Sequence, residues 1–211
     1  MALPVPPLLL ITDRKQAGRP LEDIADAAFA AGCRWLSVRE KDMAPAERAA
    51  LFARLLASGQ RAGARVTLHG DAEEAAQLGA DGVHLAAGGD ARAARARLGP
   101  SALIGVSCHA VIEIVRAAQM GADYVTLGPI FTSASKPGYG PALGLDALAE
   151  AARTIPIAIL ALGGVEVANL RECREAGAAG AATMGAIIRA AEPGAGMAAL
   201  IAAWRMAAAD K

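Results

Sequence analysis

The chain has 211 residues, 55% hydrophobic but only 3% aromatic, with 21 basic and 21 acidic side chains and zero formal net charge. That length bounds it to one domain or two small ones, and the scarcity of aromatics implies a core of Ala, Val, Leu and Ile in many small elements. Balanced charge argues against the global positive field of a nucleic-acid binder, and no run reaches the ~20 apolar residues of a membrane span.

The opening, "MALPVPPLLLITDRK", has no basic region before its short apolar run and does not read as a signal peptide. Its apolar run, 8–12, is the first of eight short β-like segments. The others are 35–38, 65–68, 82–85, 103–107, 124–127, 157–161 and 180–184. Between them lie alanine-rich helical patterns. In "LEDIADAAFAA", Leu21, Ile24, Ala25, Ala28 and Phe29 share one face. Pro45 suits the first turn of the next helix. Four segments, "AAGCRWLSV", "QLGADGVHL", "QMGADYVTL" and "EAGAAGAAT", end a helix at Gly32, Gly79, Gly121 or Gly177 and start a strand a few residues later. This repeat predicts right-handed crossovers and a parallel sheet. The expectation is an α/β chain forming a single (β/α)8 TIM barrel over residues 1–211. A doubly wound open sheet is the alternative; the count of eight favours the barrel. Cys33, Cys108 and Cys173 are widely spaced, with no Cys-x-x-Cys pair, which predicts a reduced, cytoplasmic setting.

In such a barrel the chemistry sits at the C-terminal strand ends. There the sequence collects Thr12-Asp13, Arg39-Glu40-Lys41, His69-Gly70-Asp71, Ala86 to Asp90, Ser107-Cys108-His109, Gly128 to Gly140, Gly163-Gly164 and Gly185. In "SVREKD", strand alternation sends Arg39 and Lys41 to one side and Glu40 to the other. Two cations on one side suit a pyrophosphate clamp, against the bland reading of a solvated charge run. "GPIFTSASKPGYG" offers the hydroxyls of Thr132, Ser133 and Ser135, the ammonium of Lys136, and glycines at 128 and 138 for close backbone approach. Two prolines stiffen it, so it reads as a semi-rigid lid that grips an anion rather than a flexible surface loop. Gly163-Gly164 and Gly185 follow strands seven and eight, where barrels often bind phosphate through backbone amides. His69, His84 and His109 are each acid–base candidates or structural hydrogen-bonders.

These pieces resemble a known family. "ITD", "VREK", "GADGVHL", "IGVSCH", "GADYVTLGPIF", "TSASKPG" and "LALGGV" are similar, in order, to the motifs of the thiamine phosphate synthase/TenI family, from about residue 10 to 188. The resemblance implies coupling of hydroxymethylpyrimidine diphosphate to thiazole phosphate, with release of pyrophosphate under the pull of magnesium, Lys and Arg. It implies that Arg39 and Lys41 hold the pyrophosphate, with Ser107 near it. Ser133, Ser135 and Lys136 would lie beside both phosphates, and Gly164 with the backbone near Gly185 would hold the thiazole phosphate. The implied partners are phosphorylated small molecules, without nucleic acid or membrane; a homo-oligomer is left open.

This chain departs from the family pattern at three places. Ser37 stands where the synthases carry Gln, and His69-Gly70 where they carry Asn-Asp. Gly89 replaces an Asp, and with Gly70 it removes the usual magnesium ligands. Asp71 and Asp90, one residue away from each, are the remaining candidate metal ligands, although magnesium demands close octahedral geometry. A thiazole tautomerase, moving a proton on thiazole carboxylate phosphate without metal, is the runner-up. There one known form of the enzyme uses a His where this chain has Pro129, which leaves His69 as the new acid–base candidate. A non-catalytic paralogue that binds thiazole phosphate is the third reading.

Overall fold

The computed structural model describes residues 2–132 and 141–209. Eight strands alternate with helices: β1 (Leu8–Ile11), α1 (Leu21–Ala30), β2 (Trp35–Val38), α2 (Pro45–Arg61), β3 (Arg65–Leu68), α3 (Ala72–Gln77), β4 (Gly82–Leu85) and α4 (Ala91–Leu98). Then come β5 (Leu103–Cys108), α5 (Val111–Gln119), β6 (Tyr124–Leu127), α6 (Gly144–Thr154), β7 (Ala158–Leu162), α7 (Leu170–Glu175), β8 (Gly180–Thr183), α8 (Gly185–Ile188) and α9 (Pro193–Ala209). Each strand pairs in parallel with the next, and β8 returns to β1 with Leu9 opposite Ala182. The open-sheet alternative is thereby excluded: the fold is a closed (β/α)8 barrel.

The expected strands appear, four with the expected bounds and four with ends moved by one residue. Strand seven starts one residue late because the Ile157 N–H turns back to Ile155 O at 2.8 Å instead of joining the ladder. The four helix-stop glycines, 32, 79, 121 and 177, have φ of 102°, 64°, 81° and 93°, the left-handed conformation that lets the chain leave a helix and re-enter the sheet.

Alternation along each strand divides the core in two. Outward residues such as Leu8, Leu10, Leu36 and Val66 meet the helices, where the predicted α1 face of Leu21, Ile24, Ala25, Ala28 and Phe29 is buried. Pro45 opens α2, whose Phe52 and Leu55 are fully buried, worth roughly 1.5–3 kcal/mol each on the transfer scale. Inward residues Leu9, Ile11, Trp35, Leu103, Tyr124, Leu160 and Ala182 fill the lower barrel. Trp35 and Tyr124 meet edge to face there, ring centroids 4.6 Å apart. Above this apolar plug the inward residues turn polar. Ser37, Thr67, His84 and Thr126 are among these buried polar residues.

Candidate active site

Strand β2 delivers the cations. Glu40, only 2% exposed, is locked away from them: its carboxylate accepts the Arg14 backbone N–H at 3.1 and 3.3 Å. Thr12 Oγ1 accepts the Arg39 N–H at 2.8 Å, which ties the ends of β1 and β2 together. Nearby Arg14 and Lys15 are neutralised by Asp42, at 3.0 and 2.8 Å. Their hydrogen bonds, that of Lys15 first, hold the Asp42 carboxyl down at about 2. Among the described residues, Arg39 and Lys41 form no ion pair. Partial burial, and then the charge of Arg39, hold the Lys41 ammonium below the ordinary lysine range. Glu40 is thus turned onto the Arg14 amide, while Lys41 lies within electrostatic reach of Arg39.

Strands β3 to β6 deliver a hydrogen-bonded group. His84 is fully buried. Its Nδ1 lies 3.0 Å from the Tyr124 hydroxyl and its Nε2 lies 2.9 Å from Ser107 Oγ. Thr126 Oγ1 is 3.4 Å from the same Nε2. Burial first, and then the charge of Lys41, lower the His84 pKa to about 3, so the ring is neutral at ordinary pH. The half-buried His69 ring stands 4.7 Å from that of His84. His109 has a different task. Its Nδ1 donates to Gly128 O at 2.6 Å and its N–H donates to Glu113 at 2.6 Å, bracing β5 against β6. Ser37 is completely buried, and its Oγ has no hydrogen-bond partner among the described residues.

The loops after β6 and β7 grip one another. Ile130 N–H donates to Leu162 O at 2.8 Å and Phe131 N–H to Gly163 O at 3.0 Å. A Cβ on Gly128 would stand 2.3 Å from Leu162 O. Gly128 is thus required by the neighbouring strand, which corrects the expectation that it serves ligand approach. Gly163 and Gly164 have φ of 92° and 65°, and a Cβ on Gly164 would stand 2.5 Å from Thr132 O. Asn169 Nδ2 donates to Gly164 O at 2.8 Å. Across a trans peptide the N–H points opposite to the carbonyl. The amides of Gly164 and Val165 therefore face away from Phe131 and Asn169. Gly185 opens the short α8, whose first amides have no intrahelical partner. Ser133, Ser135 and Lys136, expected to grip a phosphate, lie outside the described residues.

Asp71 and Asp90, the candidate metal ligands, are both engaged at helix starts. Asp71 caps α3 by accepting Glu74 N–H at 2.8 Å, and Asp90 caps α4 by accepting Ala93 N–H at 2.9 Å. Such caps are each worth about 0.5–2 kcal/mol. Among the described residues no group of three or more His, Cys, Asp or Glu is placed to hold a metal ion. A magnesium ion held by these two carboxylates does not fit, and no chemical step is assigned to one.

The closed barrel, apolar below and polar at the C-terminal strand ends, defines an enzyme of the (β/α)8-barrel class. The family model described as thiamine monophosphate synthase matches residues 8–187. A protein of Geobacter sulfurreducens named putative thiamine-phosphate synthase is 43% identical over 189 residues, 88% of each chain. The thiamine-phosphate synthase of Roseiflexus sp. strain RS-1 is 39% identical over 188 residues, 87% of this chain and 79% of that one. Thiamine phosphate pyrophosphorylase from Pyrococcus furiosus shares the fold, with a TM-score of 0.84 at 24% identity over 95% of this chain and 96% of that one. The chain belongs to the thiamine monophosphate synthase family, transferases of thiamine biosynthesis. Among its described residues no helix is long and apolar enough to cross a membrane.

Tyr124 and Gly105 went unremarked in the sequence as site residues. A mid-strand glycine, with a histidine on one neighbouring strand and a tyrosine on the other, was the available signal.

Proposed function

We propose that this chain couples hydroxymethylpyrimidine diphosphate to thiazole phosphate, releasing pyrophosphate and forming thiamine phosphate. The observation that carries the reading is the pair Arg39 and Lys41, with Glu40 turned away onto the Arg14 amide. As the bond to the pyrimidine methylene breaks, its electron pair leaves with the pyrophosphate, which gains charge. The thiazole nitrogen then attacks the methylene cation. Groups that bind the departing anion more tightly than the substrate raise turnover rather than affinity. Arg39 offers a planar fork and Lys41 a point charge for it. Ser107 would add a hydroxyl. Gly163, Gly164 and the turn at Gly185 supply amides for the thiazole phosphate, and Ser133, Ser135 and Lys136 would supply hydroxyls and a cation for both phosphates. The test incubates the chain with both substrates, with magnesium and with a chelator, and follows thiamine phosphate. Product in either arm supports the reading; absence of product in both overturns it.

A second reading is favoured by one observation: the acids nearest the family's metal-ligand positions are spent on helix caps. A metal-free thiazole tautomerase would use His69 as its acid–base group. Isomerisation of thiazole carboxylate phosphate, lost in His69→Ala, would establish it. Tight binding of thiazole phosphate with neither turnover would mark a non-catalytic binding paralogue.

A further inference from the structure

His84, Gly105 and Tyr124 occupy one level of the barrel interior, since His84 pairs with Gly105 and Gly105 with Tyr124. Ser107 and Thr126 pair one level higher, toward the mouth. Gly105 leaves a gap in the middle strand; a Cβ there would stand 2.0 Å from Tyr124 Cζ. Through that gap Tyr124 and His84 touch across β5.

A neutral imidazole has one N–H and one bare nitrogen. Two arrangements are open, and the buried phenol decides between them. The hydroxyl of Tyr124, fully buried, has His84 Nδ1 as its hydrogen-bond partner among the described residues. If Nδ1 carried the proton, the phenolic hydrogen would have no acceptor among the described residues, a costly arrangement for a fully buried group. A phenol is also a stronger donor than an alcohol. The phenol therefore donates to a bare Nδ1, and Nε2 carries the proton. That N–H donates to Ser107 Oγ at 2.9 Å, with the longer Thr126 contact at 3.4 Å sharing it. Ser107 Oγ is then occupied as an acceptor, and its own hydrogen is left to donate. Ser107 is half-buried at the mouth.

We infer that Tyr124, acting through His84, is a positioning residue that holds the Ser107 hydroxyl as a hydrogen-bond donor toward the leaving pyrophosphate. The pyrophosphate part rests on the synthase reading. Neither Tyr124 nor His84 touches substrate in this scheme.

Two measurements test it. Nitrogen-15 NMR of histidine-labelled, substrate-free chain should show His84 protonated at Nε2 and bare at Nδ1; protonation at Nδ1 overturns the inference whatever the activity. In steady-state assays Tyr124→Phe should lower kcat about tenfold with KM within about twofold. Ser107→Ala should lower it further, and Tyr124→Phe should add nothing in the Ser107→Ala background. Additive losses would mean that Tyr124 acts only through packing, and would overturn it. Should the wild-type chain form no thiamine phosphate, the functional reading is what fails. The donor role is then read from binding of inorganic pyrophosphate. Weaker binding in both single variants, without additivity, supports it, and unchanged binding overturns it.

Discussion

Gly105→Ala puts a methyl group where the structure has an aromatic ring. The new Cβ would stand 2.0 Å from Tyr124 Cζ and 2.4 and 2.5 Å from the ring's Cε atoms. The ring has little room to retreat, because it is fully buried and packed edge to face on Trp35 at 4.6 Å. Overpacking of this kind costs typically 1–3 kcal/mol. Displacing the ring also breaks its 3.0 Å contact with His84, and leaving buried polar groups without partners costs about 1–3 kcal/mol more. Against this, the residue lies outside the left-handed region, so alanine gains roughly 0.4–1 kcal/mol by restricting the unfolded chain. The net expectation is a destabilisation of about 3 kcal/mol. For a chain of this size that lowers the melting temperature by about 6–12 °C. Urea denaturation and calorimetry of the variant measure it. Adding Tyr124→Leu, a shorter side chain, should recover part of the loss. A Gly105→Ala protein as stable as wild type would refute the reasoning, because the close contact would then not exist in solution.

Gly164→Ala places a side chain at φ 65° and 2.5 Å from Thr132 O; the loop must shift, and calorimetry should show thiazole phosphate binding weakened about tenfold while circular dichroism stays native. Lys136→Ala removes a charge-assisted contact worth about 1.5–3 kcal/mol. Under synthase chemistry steady-state kinetics should show that loss in kcat, and under tautomerase chemistry in a raised KM. His84 makes folding acid-sensitive. Its pKa falls from 6.5 to about 3 on folding, so between pH 6.5 and 4.5 the unfolded chain binds a proton that the folded chain refuses, and stability falls as pH falls. The loss across that window is about 2–3 kcal/mol. Urea midpoints measured over it should have a shallower slope in His84→Asn. The Asp42 and Glu73 carboxyls, held down at about 2 by their basic partners, lose their contribution mainly below that window.

The barrel and much of its mouth were legible along the chain because the signals are local. A strand of four or five residues announces itself by its apolar run, a helix by its spaced apolar face, and the turn between them by a glycine that must adopt positive φ. Alternation sets Glu40 apart from its neighbours, and its carboxylate is found on the Arg14 amide. What the tertiary structure decided depends on residues far apart in sequence. Asp71 and Asp90 are the exception, since each carboxylate accepts from an amide only three residues on, those of Glu74 and Ala93. Gly128 looks like room for a ligand until Leu162 O fills that space. Ser107 and Tyr124 stand 23 and 40 positions from His84, and only the register of three adjacent strands, with Gly105 leaving space between them, makes them one hydrogen-bonded unit. Local periodicity encodes which face a residue takes. Which residue waits on that face is set by strand register and barrel curvature, and these are properties of the whole chain.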